Sequence, residues 1–343
     1  MTGASAALAE PIVSVIIANY NAAPFIEACL RSVLASDLAD IEVVLVDDLS
    51  SDEGLALARA IAATDPRLRV IARDTNGGPA AVRNQALAQA RGHWVAIVDS
   101  DDLVHPRRFT TLVAAGEASG AAIVADDQLV FDDGVASPPR RFLKPADRTE
   151  PIRLDLDSYL NRAVLYGPEP DPGFLKPLIR RDRLMSARVL YDETLRIAED
   201  TDFAIRLLLA GLDYLVVPEP LYFYRKHGRS ISHRLSLAAV EAMRAADRAL
   251  SARVMSAYPA LAKRCRARAR ALDRVAALER LIAALKQRRP IAAAAELVRN
   301  PAVIPLLRMP IMGLAGKLRG SAPPATLSPA DQFKHLLADA DAA

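Results

Sequence analysis

The chain has 343 residues, 52% hydrophobic and 25% charged, the balance of a folded protein long enough for one large domain with an appendage, or for two. Its two cysteines, Cys29 and Cys265, argue against a disulfide scaffold and a cysteine-based zinc site, and no apolar run reaches bilayer-spanning length. The net charge of +3 hides a division: residues 235–320 hold 17 Lys/Arg against 5 Asp/Glu, and most of the acidic excess lies ahead of them, with a smaller share in 321–343.

Met1 to Glu10 has no basic region and no long apolar core, so no secretory signal is expected and the cysteine usage suits a reducing cytoplasm. Short β-branched apolar runs at Val13–Ala18, Glu42–Val46, Leu68–Ala72, Trp94–Val98 and Ala122–Ala125 predict strands. Pro24–Ala35, Glu53–Ala63, Pro79–Ala90 and Pro106–Ala118 between them predict helices, with Pro24, Pro79 and Pro106 near helix starts. Ser50 to Glu53 has the spacing of a capping box. The alternation implies βαβ units, a mostly parallel central sheet with flanking helices and right-handed crossovers.

From Asp132 to Pro172 repeated prolines predict mostly loop, with one short helix near Leu156–Val164. Residues 174–184 and 199–210 are expected to be helical, and 214–217 and 221–224 to be short strands. Beyond Leu235 the chain is rich in Ala, Arg and Leu. It predicts helices over 236–255 and 260–288, a broken segment over 291–319, and a loosely ordered tail after Gly320. The expected division is an α/β domain over 1–234, a basic amphipathic helical extension over 235–320 and a tail over 321–343.

The densest chemical signal is Asp99-Ser100-Asp101-Asp102, directly after the run Trp94 to Val98. Three carboxylates at a buried strand's tip repel one another, and the simplest compensation is Mg²⁺ or Mn²⁺, hard ions that favour oxygen ligands. The plain alternative is an acidic turn before the next helix. Asp47-Asp48 ends another strand, where a carboxylate can accept from a base or ribose, or simply cap the turn. Asn76-Gly77-Gly78 opens a helix carrying Arg83, an arrangement able to meet a phosphate or to be an ordinary helix start. Glu199-Asp200 sits in a first helical turn, where acids suit the macrodipole and could equally serve as a general base.

Tyr222-Phe223-Tyr224-Arg225-Lys226-His227 through His233 gathers aromatics, cations and hydroxyls that could embrace an anionic leaving group. In the extension, Lys263, Arg264, Arg266, Arg268, Arg270 and Arg274 accompany an apolar face of Leu261, Leu272, Val275, Leu278, Leu281, Ile282 and Leu285, followed by Ile304 to Leu314. That face predicts either an anionic membrane surface or packing on the α/β body or a second subunit. Nucleic acid is not expected as a partner, because aromatics are nearly absent there and no named motif appears.

Taken in order, Val13 to Asn21, Val46 to Asp52, Asn76 to Asn84, Val98 to Asp102 and Glu199-Asp200 resemble the family 2 glycosyltransferases, inverting enzymes of the GT-A fold, over residues 11–235. Pro172 to Pro177, Tyr191 to Leu195 and Tyr222 to Arg225 further resemble bacterial exopolysaccharide glycosyltransferases of the succinoglycan type. The resemblance implies a nucleotide pocket of Asn19, Tyr20, Asp47, Asp48, Gly78, Arg83 and Asp99, with a Mn²⁺ or Mg²⁺ ion held by Asp101 and Asp99. It implies catalytic carboxylates at Glu199 and Asp200, Asp200 being the base, and leaves Lys176, Tyr224, Arg225 and His227 as contacts to leaving group or acceptor. The implied reaction moves a hexose, glucose from UDP-glucose first among candidates, to a lipid-linked or polysaccharide acceptor. The implied place is the inner face of the cytoplasmic membrane, with the enzyme bound peripherally. Two rivals are a nucleotidyltransferase, which should carry a Gly-rich cationic loop that Ala18 to Asn21 lacks, and a non-catalytic membrane-associated scaffold of the same fold.

Overall fold

The computed structural model describes residues 10–228, 235–307 and 326–343. In chain order the first half contains β1 (Val13–Asn19), α1 (Ile26–Leu34), β2 (Ile41–Asp47), α2 (Gly54–Ala62), β3 (Leu68–Ala72), α3 (Pro79–Gln89), β4 (Trp94–Asp99), β5 (Leu103–Val104), α4 (Arg108–Ser119) and β6 (Ile123–Asp132). The second half adds β7 (Arg140–Arg141), β8 (Ile152–Leu154), α5 (Leu156–Arg162), β9 (Leu178–Arg180), α6 (Arg181–Ala187), α7 (Glu199–Leu209) and β10 (Tyr214–Lys226). Then come α8 (Leu237–Ala257), α9 (Ala262–Lys286), α10 (Pro290–Arg299) and α11 (Pro329–Asp341).

The strands form one sheet in the order β3-β2-β1-β4-β9-β6-β10-β5, with β7 on β6 and β8 on β10. β1, β2, β3 and β4 pair in parallel, as do β6 and β10. The central strands β1, β2 and β4 are mostly apolar because helices cover both faces. Val13, Val15 and Ile17 pack with Ile26 and Leu30 of α1 and with Phe109 and Leu112 of α4. Ile16, Val44 and Val46 pack on the other side with Val82 and Ala86 of α3 and Phe203 of α7.

Several sequence expectations are corrected. The capping box does not form: Glu53 precedes α2 without a side-chain cap, and Ser50 instead donates through its N–H and hydroxyl to Asp47. Residues 174–184 are not one helix. Buried Leu178 and Ile179 form β9, which fills the space between β4 and β6 in antiparallel pairing, before α6 begins. β6 runs past Ala125 through Asp126 and Asp127, because Arg108 and Arg141 neutralise these buried acids at 2.9 and 2.6 Å. The two short strands at 214–217 and 221–224 are one strand, β10, whose register shifts between Val217 and Tyr222.

The extension is largely consumed by packing. Leu250 and Val254 of α8 and Cys265 of α9 join the core beside α5 and α7. Leu278 and Leu281 of α9 pack with Ala293 of α10 and Val303, and Val275 packs with Val240. The apolar face of α9, for which the sequence leaves open a membrane surface, the α/β body or a second subunit, is thus mostly covered by the protein itself. Part of the expected tail is a helix: α11 is capped by Ser328 and buries Leu336 against Phe131 and Phe223. Arg229 to His233 and Met309 to Leu314 lie outside the described residues.

Candidate active site

The carboxyl ends of β1, β2 and β4 are level, with Asn19 opposite Asp47 and Ala18 opposite Asp99. Above them lies a cavity of about 540 Å³, lined as well by the start of α7 and by α8 and α9. Asn19, Tyr20, Asp48, Gly78, Arg83, Asp99, Asp101, Lys176, Glu199, Asp200, Tyr224 and His227 all line it. The structure therefore brings together most of the residues singled out from sequence.

Two of them stand aside. Asp47 is buried below the floor, accepting from Asn19 Nδ2 at 2.6 Å and from Ser50 Oγ at 2.6 Å, so it braces Asn19 and the turn. Arg225 is also absent from the lining: its guanidinium lies over Phe25 and Phe131 and donates to the Asp101 carbonyl at 2.6 Å. Asp48 lines the cavity, and its two oxygens accept from the Gly77 and Gly78 amides at 2.8 and 2.7 Å. Gly78 has φ +83, and a Cβ there would strike the Arg196 side chain, so only glycine serves this close approach.

At the centre is an ion network. Arg83 donates to Glu199 at 2.6 Å and to Asp99 at 2.7 Å, and stands 3.2 Å from Asp200. Lys176 donates to Asp200 at 2.7 Å and lies 2.8 Å from Asp99. Burial opposes ionisation of Asp99, but Lys176 and Arg83 outweigh it and hold its carboxyl well below the usual range. Burial, reinforced by the Asp200 charge, pushes the Glu199 carboxyl up. Lys176 stays charged in spite of burial, because Asp200 and Asp99 raise it.

The acidic triplet divides by depth. Asp102 is buried and accepts from the Tyr222 hydroxyl and the Arg225 N–H, both at 2.7 Å. Burial, then the charges of Asp101 and Asp99, push its carboxyl well up. Asp101 and Asp99 face the cavity, and Asp101 meets His227 Nε2 at 2.8 Å. Ligand atoms of Asp99, Asp101 and Asp102 lie within 4.8 Å of one another. Asp99 and Asp101 present hard oxygen donors to the cavity, the ligand chemistry that Mg²⁺ and Mn²⁺ favour, with Asp102 buried behind them.

Sequence reasoning missed the far wall: Asp171, Met243, Asp247, Leu250, Arg268 and Leu272. One signal was present. Asp247 falls on the buried stripe of α8 with Val240, Met243, Leu250 and Val254, a place where a carboxylate needs a reason.

A model of the family described as glycosyl transferase family 2 matches residues 14–182. The succinoglycan biosynthesis protein ExoO of Rhizobium meliloti (strain 1021) is 35% identical over 311 residues, covering 90% of this chain and 86% of that protein. The succinoglycan biosynthesis protein ExoU of the same organism is 33% identical over 251 residues, covering 72% of this chain and 71% of that protein. The mannosyltransferase PcManGT from Pyrobaculum calidifontis, solved with GDP-Man and Mn²⁺, has a TM-score of 0.57 at 20% identity over 97% of this chain and 86% of its own. S. aureus TarS 1-349 with UDP has a TM-score of 0.56 at 23% identity over 78% and 70%. At these identities the two solved structures bear on the fold alone, which is of the GT-A type.

Proposed function

Because the chain belongs to glycosyl transferase family 2, we propose that it is an inverting, metal-dependent transferase moving a hexose from a nucleotide sugar to a glycan or lipid-linked acceptor in exopolysaccharide synthesis. UDP-glucose is the donor we favour. The observation that carries this reading is one cavity in which the Asp99-Asp101 pair at the tip of β4 faces Asp200 at the start of α7. The names of ExoO and ExoU, both succinoglycan biosynthesis proteins, support the pathway class.

In this reading Asn19, Tyr20 and the Gly77-Gly78 turn, braced by Asp48, receive the nucleoside. Asp101 and Asp99 hold the divalent ion, with His227 against Asp101. When bound, that ion supplies positive charge beside the departing diphosphate. Lys176 and Arg83 orient Asp200 and keep negative charge from accumulating around it. Asp200 Oδ1 accepts no hydrogen bond among the described residues and is ion-paired with Arg83 at 3.2 Å. It takes the acceptor hydroxyl's proton as that oxygen bonds to the anomeric carbon and the bond to the diphosphate oxygen breaks. One displacement from the opposite face inverts configuration, the stereochemical logic of single-displacement glycoside chemistry.

We read the chain as a peripheral protein of the inner membrane face. No described helix is long and apolar enough to cross a membrane. Ile291 and Val298 of α10 are 85% and 81% exposed, and Lys286, Arg288, Arg289 and Arg299 beside them are exposed too. Exposed apolar side chains among cations suit an anionic lipid surface.

The test is a screen of nucleotide sugars for hydrolysis and transfer with Mg²⁺ and Mn²⁺, followed by Asp200→Asn. Removing a general base should lower transfer by about 10²–10⁴-fold while nucleotide affinity holds. Undiminished transfer removes Asp200 from the mechanism.

A further inference from the structure

Past Asp200 the cavity leaves the strand tips and enters a lobe walled by α8, α9 and Leu195. Leu195, Met243, Leu250 and Leu272 in this wall are aliphatic and buried. Set among them is Asp247, 5% exposed, whose Oδ1 takes both the Nε and a terminal nitrogen of Arg268 at 3.0 Å. Its Oδ2 has no hydrogen-bond partner among the described residues. A buried acceptor left unsatisfied is costly unless water or a ligand completes it.

The nucleotide side of the cavity is taken by Asn19, Asp48 and Gly78, and the base must touch the attacking hydroxyl. The rest of the acceptor therefore has the opposite lobe. We propose that this lobe is the acceptor subsite, built by the helical extension, and that it takes a sugar bearing an aliphatic moiety. A ring hydroxyl donates to Asp247, and the aliphatic part lies against Met243 and Leu250. The inference rests on the transferase reading, and it makes α8 and α9 specificity-determining parts of the site.

The test is equilibrium dialysis of the full chain with radiolabelled methyl, butyl and octyl β-D-glucoside, below micelle-forming concentration, with UDP and Mn²⁺ present. Octyl glucoside should bind at least about tenfold more tightly than methyl glucoside, since each methylene removed from water adds affinity. A 6-O-octanoyl glucose arm separates the sources: preference for the octyl glucoside indicates a lipid aglycone, preference for the ester an acylated glycan. Leu250→Trp, which fills the lobe, should erase the chain-length dependence while UDP–Mn²⁺ affinity stays. Asp247→Asn should weaken all three glucosides alike, because it acts on the ring. Equal binding of methyl and octyl glucoside by the unmodified protein overturns the subsite, as does a Leu250→Trp protein that keeps the chain-length series. Loss of the subsite with UDP–Mn²⁺ binding intact leaves the transferase reading standing; failure of UDP–Mn²⁺ binding in the unmodified protein counts against that reading itself.

Discussion

Replacing Arg83 by Met probes the ion network directly. The Arg83 side chain is 6% exposed and touches Asp99, Glu199 and Asp200 within 3.2 Å. Breaking a buried pair by removing one partner costs about 3–5 kcal/mol, because the remaining charge is left uncompensated. Lys176 still pairs with Asp99 and Asp200, so the lower end, about 3 kcal/mol at pH 8, is expected. For a chain of 343 residues that corresponds to a fall in Tm of roughly 4 °C.

The loss should also depend on pH. Glu199 already has a carboxyl raised by burial and by Asp200, against the lowering effect of Arg83. Without Arg83 it rises further, so between its unfolded and folded values the folded state holds more protons than the unfolded one. Stability of the variant then increases as pH falls toward the ordinary carboxyl range. Asp99 behaves oppositely: Lys176 and Arg83 hold it low, and the stability this contributes is present above its unfolded value and lost only on strong acidification. From pH 8 to 5.5 the raised Glu199 carboxyl acts to shrink the deficit of the variant. Urea unfolding of both proteins at the two pH values, followed by far-UV circular dichroism, measures it. A loss below about 1 kcal/mol, the range of an exposed pair, or a deficit equal at both pH values, refutes the network as described.

Leu336 is 2% exposed among Phe131 and Phe223, so Leu336→Ala should cost about 2–4 kcal/mol. Hydrogen exchange should show the 329–341 segment opening first, with nucleotide affinity retained; unchanged protection there would mean that α11 is not held by this contact. Ile291→Glu combined with Val298→Glu should abolish cosedimentation with phosphatidylglycerol vesicles and leave donor hydrolysis intact. Persistent vesicle binding by this double variant would place the lipid contact elsewhere.

Much of the α/β body was legible because its signals are local. Apolar runs such as Val13 to Ala18 and Trp94 to Val98 are short, β-branched and bounded by turn residues, so each declares a buried strand without reference to the rest of the chain. The acids at strand ends, the Gly77-Gly78 turn and Glu199-Asp200 were legible for the same reason: chemistry at an element's end depends on the few residues beside it. The misreadings share the opposite cause. Leu178 and Ile179 became a strand because β4 and β6 needed a partner between them. Asp126 and Asp127 remained in β6 because Arg108 and Arg141 arrive from elsewhere to neutralise them.

The candidate site shows the same division more finely. That Asp99, Asp101, Arg83 and Asp200 belong to one site could be read from motif order. That Arg83 bridges three carboxylates, that Asp47 braces the floor while Asp48 holds the glycine turn, and that Asp102 is sealed under Tyr222 could not. Nor could the amphipathic stripe of α9 announce its partner, since an apolar face of that width suits lipid, a second subunit or the chain's own core equally well. Sequence alone determined which residues carry charge and which segments bury, because those follow from each side chain and its near neighbours. Only the tertiary structure decided which charges meet and which apolar faces are already covered, because both depend on distances between segments far apart along the chain.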